Sequence, residues 1–312
     1  MAKVLAIGPY ADIDAQALRD DFAALPLADA ADVAGLSADQ RDKVVAVAFL
    51  GHKGMSAAVM DQLPNLRFIT NFGVGYDAID IAGADARGIR VTNTPNVLND
   101  DVADLAVAML ISENRRMSAA ETWMRAGEWA KGPEYPLQRK MSGRKVGILG
   151  LGRIGREIAD RLAAFRTQIH YFSRSDKQVA GWTWHDDPVA LAHAVDDLVI
   201  AVVGGPDTTG IVSAKVIKAL GPDGIIVNIA RGSVIDETAL LDALEAGRLR
   251  GAALDVFLNE PRPDPRFFAL KNATLLPHVG SATQETRRAM GELQRRNLRL
   301  LLDGEQPETP VN

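Results

Sequence analysis

The sequence contains no cysteine among its 312 residues. This absence excludes disulfide bonds, thiolate metal sites and a cysteine nucleophile, and it is consistent with a reducing compartment. A strong excess of one charge is also lacking, since 40 acidic and 35 basic residues give a formal net charge of -5. Without a long cluster of lysine and arginine to follow a phosphate backbone, we expect no nucleic-acid partner.

Long hydrophobic runs are also missing. No apolar stretch approaches the length needed to cross a bilayer, so we expect no membrane partner. The first ten residues, MAKVLAIGPY, are typical of a strand and lack the longer apolar region of a signal peptide, which favours a cytoplasmic protein. The content of 47% hydrophobic and 24% charged residues is that of a globular protein, and the length allows two domains.

Short apolar runs bounded by Gly, Pro or Asp alternate with helical patterns along most of the chain. In the first hundred residues the runs are KVLAIG, KVVAVAFLG, LRFITNFG and IRVTN; from Lys145 they are KVGILG, QIHYFS, DLVIAVV, GIIVNIA, GAALDVF and ATLLPHV. This alternation predicts an α/β fold with two doubly wound parallel sheets of the Rossmann type. The stretch NVLNDDVADLAVAMLISENRRMSAAETWMRAGEW predicts one long linking helix, and ETRRAMGELQRRNLRLLLDG predicts a final helix.

Three glycines, Gly150, Gly152 and Gly155, follow the strand KVGILG and form the pattern G-x-G-x-x-G at the start of a helical segment. In a dinucleotide site, the first glycine permits the turn and the second lets the backbone approach a pyrophosphate. The third allows close packing of helix on strand, while the helix N-terminus attracts the anion. The strand before the motif and the helix after it therefore predict a dinucleotide-binding site.

The strand QIHYFS ends where an NAD-binding protein usually carries an acidic residue that binds the adenosine ribose. Ser173, Arg174 and Ser175 occupy this place. A guanidinium can bind a 2′-phosphate through paired hydrogen bonds, so we expect NADP(H) to be preferred and NAD(H) to bind with lower affinity. Alternatively, Arg174 simply lies on a solvated loop. The acidic residue Asp176 lies close by in the sequence and argues against the NADP(H) preference.

Three chemically suitable residues lie at the ends of consecutive strands: Arg231 follows GIIVNIA, Glu260 follows GAALDVF, and His278 lies at the carboxyl end of ATLLPHV. Ligands of open α/β sheets bind at the carboxyl ends of strands. An arginine could bind and polarise a 2-oxo acid, a histidine could deliver the proton, and a carboxylate could stabilise the imidazolium. Arg231 and Glu260 could equally form a surface ion pair. His52 also follows a strand, although a loop histidine is usually solvated.

The motifs GLGRIG, NIARGSVID, GAALDVFLNEP and LPHVGSAT occur in an order that resembles the D-isomer-specific 2-hydroxyacid dehydrogenases. The resemblance covers nearly the whole chain. Within the family, the sequence is most similar to the NADPH-dependent glyoxylate/hydroxypyruvate and hydroxyphenylpyruvate reductases. It implies NADPH-dependent reduction of a small 2-oxo acid to the D-2-hydroxy acid. In this resemblance Arg231 binds and polarises the substrate, His278 is the acid/base and Glu260 is its partner.

The resemblance also implies which residues contact the substrate and the coenzyme, and how the chain is divided into domains. Substrate contacts would come from Leu50, Gly51, Val74, Gly75, Arg231 and His278. Coenzyme contacts would come from Gly150, Gly152, Arg153, Ile154, Gly155, Ser173, Arg174, Ser175, Ile229, Ala230, Arg231, Asp255, His278 and Gly280. No metal is expected. Residues 1–98 plus 285–312 would form a flavodoxin-like substrate domain and 99–284 a Rossmann domain, with a cleft between them that closes before reaction, in a homodimer.

Two other functions remain open from the sequence. A nucleotide-sensing protein similar to the family's transcriptional co-repressors would keep the fold without turnover, although such a protein would not need Arg231, Glu260 and His278 together. An NAD-dependent phosphoglycerate dehydrogenase is disfavoured by Ser173 and Arg174. The sequence also departs from the family pattern at GGPDTTG, after the strand DLVIAVV, and at AKGPEYPLQRKM, so no residue role is inferred in either segment.

Overall fold

The predicted alternation of strands and helices produces two parallel sheets in the computed structural model, which describes residues 3–51 and 54–312. The α/β fold with two doubly wound sheets is thereby confirmed. The chain divides into a first unit, Met1–Leu98 with Thr283–Asn312, and a second unit, Asn99–Ala282. Among the described residues, no helix is both long enough and apolar enough to cross a membrane.

The first unit contains a parallel sheet in the order β2-β1-β3-β4-β5, which is the order of flavodoxin-like folds. Its strands are β1 (Val4–Ile7), β2 (Leu25–Leu27), β3 (Ala46–Phe49), β4 (Phe68–Asn71) and β5 (Arg90–Thr92). Its first helices are α1 (Asp12–Phe22), α2 (Ala38–Arg41), α3 (Ala57–Met60) and α4 (Ile81–Asp85).

The first unit has two apolar clusters, one on each face of its sheet, and the side chains of β1 and β3 alternate between them. Leu5 and Phe49 belong to the apolar cluster on one face of the sheet, and Ala6 and Ala48 belong to the cluster on the other. Successive side chains of a strand point to opposite faces, so each strand contributes to both clusters. Small alanines on the second face leave space for Leu298, which is fully buried there.

The second unit contains a parallel sheet in the order β12-β11-β10-β9-β6-β7-β8. Its strands are β6 (Lys145–Leu149), β7 (Gln168–Phe172), β8 (Thr183–His185), β9 (Asp197–Ile200), β10 (Ile225–Asn228), β11 (Gly251–Leu254) and β12 (Ala273–Leu275). Counted from β6, this is the order of dinucleotide-binding folds with one further strand. The strand order reverses between β6 and β9, because β7 and β8 are added on one side of β6 and β9 to β12 on the other. Ligands of such sheets bind at the carboxyl ends of strands near this reversal.

Helices cover both faces of the second sheet, as a parallel sheet of nearly continuous apolar strands requires. They are α5 (Asn99–Arg115), α6 (Met117–Arg125), α7 (Arg153–Ala164), α8 (Pro188–Ala194), α9 (Ala214–Leu220) and α10 (Glu237–Glu245). The expectation of one long linking helix was wrong, because Arg116 has a left-handed φ of 50° and separates α5 from α6. Apolar periodicity on both sides of a single left-handed residue does not reveal such a break.

The predicted final helix is α11 (Gln284–Leu302), and it belongs to the first unit. The four apolar residues that its pattern offered for packing, Met290, Leu293, Leu298 and Leu301, are all buried. Gln294, also buried, donates hydrogen bonds to the Tyr10 hydroxyl and to the carbonyl of Thr70. The helix thus returns the end of the chain to the sheet where the chain began.

Candidate active site

The glycine loop joins β6 to α7 and leaves space at the helix N-terminus. Gly150 has a φ of +104°, and a Cβ there would lie 2.8 Å from the backbone nitrogen of Val202. A Cβ at Gly155 would lie 2.0 Å from the carbonyl oxygen of Gly150, so close packing of helix on strand requires this glycine. At Gly152 no atom lies within 4 Å of such a Cβ, and α7 has no side-chain cap. Free N–H groups facing open space fit a pyrophosphate. Arg153 and Ile154 begin α7 beside these groups.

The turn after β7 is ordered by its own hydrogen bonds. The Ser173 hydroxyl donates to the carbonyl of Ser175 (2.7 Å), and the Trp184 indole nitrogen donates to the carbonyl of Ser173 (3.1 Å). Arg174, between the two serines, is exposed and has no hydrogen bond or ion pair with any described residue. A fixed turn therefore presents an available guanidinium at the end of β7.

The turn after β10 is held by a residue that the sequence analysis did not select. The Asn228 side chain, which is buried, accepts a hydrogen bond from the Ala230 N–H (3.0 Å) and donates one to the carbonyl of Arg231 (2.9 Å). Arg231 also donates from Nη1 to the carbonyl of Ala230 (2.7 Å). Ile229 and Ala230 are themselves buried in this turn. The signal in the sequence was a polar residue ending the apolar run IIVN.

Gly232 allows the Arg231 turn to lie directly against the segment that carries Glu260. A Cβ at Gly232 would lie 1.9 Å from the carbonyl carbon of Phe257 and 2.2 Å from the nitrogen of Leu258. Any side chain at this position would therefore displace backbone. The Phe257 N–H in turn donates to Glu260 Oε1 (2.9 Å), so this segment also fixes the glutamate.

Glu260 and His278 form a hydrogen-bonded pair. Glu260 Oε2 lies 2.7 Å from His278 Nδ1, with side-chain exposures of 18% and 29% respectively. This contact fixes the orientation of the imidazole ring and assigns Nδ1 to the carboxylate. The backbone of His278 has a φ of 56°, a left-handed conformation that is uncommon for a residue other than glycine.

Asp255 braces the loop that carries His278. Its carboxylate is buried and accepts hydrogen bonds from the Val279 and Gly280 N–H groups, both at 2.8 Å. Its carbonyl accepts from the His278 N–H at 2.9 Å. Burial raises the pKa of Asp255, while the two amide hydrogen bonds act in the opposite direction. The contact of Asp255 and Gly280 with a coenzyme stays a prediction, whereas their contact with each other is direct.

The first unit contains a loop after β4 whose carbonyl oxygens accept hydrogen bonds from asparagine side chains. Asn71 Nδ2 donates to the carbonyls of Gly73 (3.1 Å) and Gly75 (2.9 Å), and Asn93 Nδ2 donates to that of Val74 (2.8 Å). Within the described residues, the backbone N–H groups of Val74 and Gly75 have no acceptor. Neither asparagine was selected from the sequence, although Asn71 and Asn93 follow apolar runs.

The other expected residues of the first unit, Leu50 and Gly51, directly follow β3. Leu50 is tied to the sheet through its N–H, which donates to the carbonyl of Ile7 (2.8 Å). His52 lies outside the described residues. Within residues 3–51 and 54–312, no group of three or more His, Asp or Glu side chains is arranged to hold a metal ion.

Comparison with known proteins identifies the family of this chain. The family model for the D-isomer specific 2-hydroxyacid dehydrogenase, NAD binding domain, matches residues 107–280. The hydroxyphenylpyruvate reductase of Plectranthus scutellarioides is 44% identical over 272 residues, which are 87% of each chain. This chain belongs to the D-isomer-specific 2-hydroxyacid dehydrogenase family.

Solved structures of other members of this 2-hydroxyacid dehydrogenase family have the same fold. The 2-hydroxyacid dehydrogenase from Ketogulonicigenium vulgare Y25 is 47% identical with a TM-score of 0.90, covering 100% of this chain and 99% of that one. An NADPH-dependent glyoxylate/hydroxypyruvate reductase from Sinorhizobium meliloti, in complex with NADP and malonate, is 41% identical with a TM-score of 0.94. That comparison covers 99% of this chain and 96% of the relative. The second unit accordingly carries the family's nicotinamide coenzyme domain.

The structure brings two of the three residues selected for chemistry into direct contact, namely Glu260 and His278. Arg231 follows β10, whose neighbour in the sheet is β11, and β11 pairs with β12. The three residues therefore follow three adjacent parallel strands and share one edge of the sheet. The two oxygens of Glu260 bind the Phe257 N–H and the His278 ring.

Substitution of Gly232 by alanine tests the close approach of the two segments. We expect the unfolding free energy of Gly232→Ala to fall by about 2 kcal/mol or more, because a Cβ would overlap backbone that cannot move without displacing Glu260. Urea denaturation measures this change. Gly35→Ala is the control, since a Cβ at Gly35 meets no atom within 4 Å. Equal stability of the two variants would contradict the assigned role of Gly232.

Proposed function

We propose that this protein uses NADPH to reduce a small 2-oxo acid, such as glyoxylate or hydroxypyruvate, to the D-2-hydroxy acid. The hydrogen bond of 2.7 Å between His278 Nδ1 and Glu260 Oε2 is the observation that carries the proposal. It supplies an oriented proton donor with an anionic partner at the ligand-binding edge of a coenzyme domain. The names of the relatives in Plectranthus scutellarioides and Sinorhizobium meliloti support the same class of substrate.

In this proposal His278 is the acid that protonates the carbonyl oxygen of the substrate. Because Glu260 holds Nδ1, the proton leaves from Nε2, and the carboxylate stabilises the protonated ring before the transfer. When bound, the nicotinamide coenzyme supplies the hydride that adds to the carbonyl carbon. In the reverse direction the same histidine would accept the proton from the hydroxyl group.

Arg231 is the group proposed to bind and polarise the substrate. Its guanidinium can hold a carboxylate through paired hydrogen bonds and attract the negative charge that develops on the carbonyl oxygen. The buried Asn228 fixes the turn at both Ala230 and Arg231, so the arginine starts from a rigid backbone. In the first unit, the available N–H groups of Val74 and Gly75 are proposed to bind the substrate carboxylate, and Leu50 and Gly51 to contact the substrate.

The preference for NADPH is proposed from the turn after β7. Arg174 has no partner among the described residues, and the carbonyls on both sides of it already accept hydrogen bonds. A guanidinium in this position can bind the 2′-phosphate that distinguishes NADPH from NADH. The presence of NADP in the Sinorhizobium meliloti complex supports the same preference.

A panel of 2-oxo acids tests the reaction. The decrease in NADPH absorbance is followed with glyoxylate, hydroxypyruvate, hydroxyphenylpyruvate and pyruvate, and the experiment is repeated with NADH. We expect turnover with at least one of these acids and a higher kcat/KM with NADPH than with NADH. A folded protein that binds NADPH but reduces none of the acids would contradict the proposed reaction and favour a sensing role.

Substitution of His278 tests the proton donor. We expect His278→Ala to lower kcat by about 10²- to 10⁴-fold, the usual contribution of an acid/base residue, while the Kd for NADPH changes by less than about threefold. Stopped-flow turnover and coenzyme fluorescence measure the two quantities. His193→Ala, which removes an exposed histidine from α8, should leave both unchanged. Turnover of His278→Ala at the rate of the unsubstituted protein would exclude the acid/base role.

Substitution of Arg174 tests the coenzyme preference. We expect Arg174→Ala to raise the Kd for NADPH at least tenfold, in the range of a lost charge-assisted hydrogen bond, and to change the Kd for NADH by less than about threefold. Lys215→Ala is the matched control, because it removes the same charge from an exposed position of α9. If both coenzymes lose affinity equally, Arg174 does not bind the 2′-phosphate.

A further inference from the structure

The proposed 2′-phosphate site has an acidic residue close to it. Asp176 is exposed and follows Arg174 by two positions, in the connection between β7 and β8. A carboxylate that reached the adenosine ribose would repel a 2′-phosphate and would accept hydrogen bonds from the hydroxyl groups of NAD instead. A preference for NADPH therefore requires that something keep Asp176 from that position.

Tyr171 makes the contact that fixes Asp176. The tyrosine lies in β7 with only 1% of its surface exposed, and its hydroxyl donates a hydrogen bond to Asp176 Oδ1. The same hydroxyl oxygen accepts the N–H of Lys177 at 3.0 Å. Asp176 Oδ1 also accepts the N–H of Gln178 at 2.8 Å. The phenol is thus a buried anchor for both the side chain and the backbone of this loop.

The protonation states of Tyr171 and Asp176 favour the hydrogen bond between them at neutral pH. The hydrogen bond from Tyr171 lowers the pKa of Asp176, so the carboxylate is ionised. Burial raises the pKa of Tyr171, so the phenol keeps its proton. The bond therefore joins a neutral donor to a charged acceptor, which is stronger than a bond between two neutral groups.

The other half of the turn is fixed independently. Trp184, in β8, donates to the carbonyl of Ser173, and the Ser173 hydroxyl donates to the carbonyl of Ser175. These contacts hold the backbone around Arg174, whose guanidinium has no partner among the described residues. Two charged side chains of this turn thus differ in their contacts: Asp176 is bound to Tyr171 of the sheet, whereas Arg174 is available.

We propose that Tyr171 is a positioning residue for coenzyme selectivity, which holds Asp176 on its hydroxyl so that Arg174 alone meets the ribose 2′-position. The inference deepens the proposed function and rests on its preference for NADPH. Because Tyr171 is buried, it is proposed to touch neither coenzyme nor substrate. Its effect on binding passes through the charge of Asp176.

Four proteins test this role: the unsubstituted chain, Tyr171→Phe, Asp176→Asn and the double variant. Dissociation constants for NADPH and NADH are measured by coenzyme fluorescence. We expect Tyr171→Phe to weaken NADPH by about three- to tenfold relative to NADH, as expected for a solvent-exposed carboxylate released near a phosphate. Phenylalanine keeps the ring that fills the core, and a thermal melt verifies that the variant is folded.

The double variant separates the charge of Asp176 from the order of the loop. Asp176→Asn alone keeps an oxygen that can accept from Tyr171 and Gln178, so NADPH binding should change by less than about twofold. In the double variant the released side chain is neutral, and we expect NADPH binding to return to within about twofold of the unsubstituted chain. A merely structural role of Tyr171 would leave the double variant as weak as Tyr171→Phe.

Two results would overturn the inference: an unchanged ratio of the two constants in Tyr171→Phe, or no recovery in the double variant. Failure of the proposed function gives a different pattern. An unsubstituted chain that binds NADPH no better than NADH contradicts both the coenzyme preference and this inference. A chain that binds NADPH selectively but reduces no 2-oxo acid contradicts only the reaction, because the four proteins are compared by binding.

Discussion

The hydrogen bond between His278 and Glu260 depends on a backbone conformation that is unfavourable by itself. A left-handed conformation costs an L-residue about 1–2 kcal/mol, and His278 adopts it with a φ of 56°. Asp255 offsets this cost by accepting three N–H groups from consecutive residues, His278, Val279 and Gly280. The histidine is therefore held in place before any ligand binds. Such preorganisation is what general acid catalysis requires, because the donor must already point at the atom it protonates.

Two carboxylates that follow β11 have different structural roles in this site. Asp255 is buried and binds only backbone N–H groups in the contacts described, so it shapes the loop. Glu260 is partly exposed, and its two oxygens have different partners, the Phe257 N–H and the His278 ring. In the sequence DVFLNEP the two acidic residues look alike. Their roles differ because one lies in the core of the unit and the other at the edge where ligands bind.

Features that depend on local sequence patterns could be predicted from the sequence. Features that depend on contacts between residues distant in the chain could not. Apolar runs gave the strands, and the spacing of Gly150, Gly152 and Gly155 after one of them gave the dinucleotide loop. Residues at strand ends gave Arg231, Glu260 and His278 as candidates. The order of the strands was not readable, and neither was the left-handed Arg116 that divides the linking helix. The supporting asparagines were also missed, because the contacts of Asn71, Asn93 and Asn228 become visible only once the turns are folded.

The same principle acts at the chemical end and at the coenzyme end of the second unit. At both ends the carboxylate of an acidic residue is bound by groups of the same unit, and in the proposed function its neighbour binds a ligand. Glu260 is bound to His278 Nδ1, so the other ring nitrogen is the one proposed to transfer the proton. Asp176 is bound to Tyr171, and Arg174 is the residue proposed to meet the coenzyme at the end of β7. Because both contacts are made inside the second unit, we propose that the fold itself determines which charged group meets the ligand.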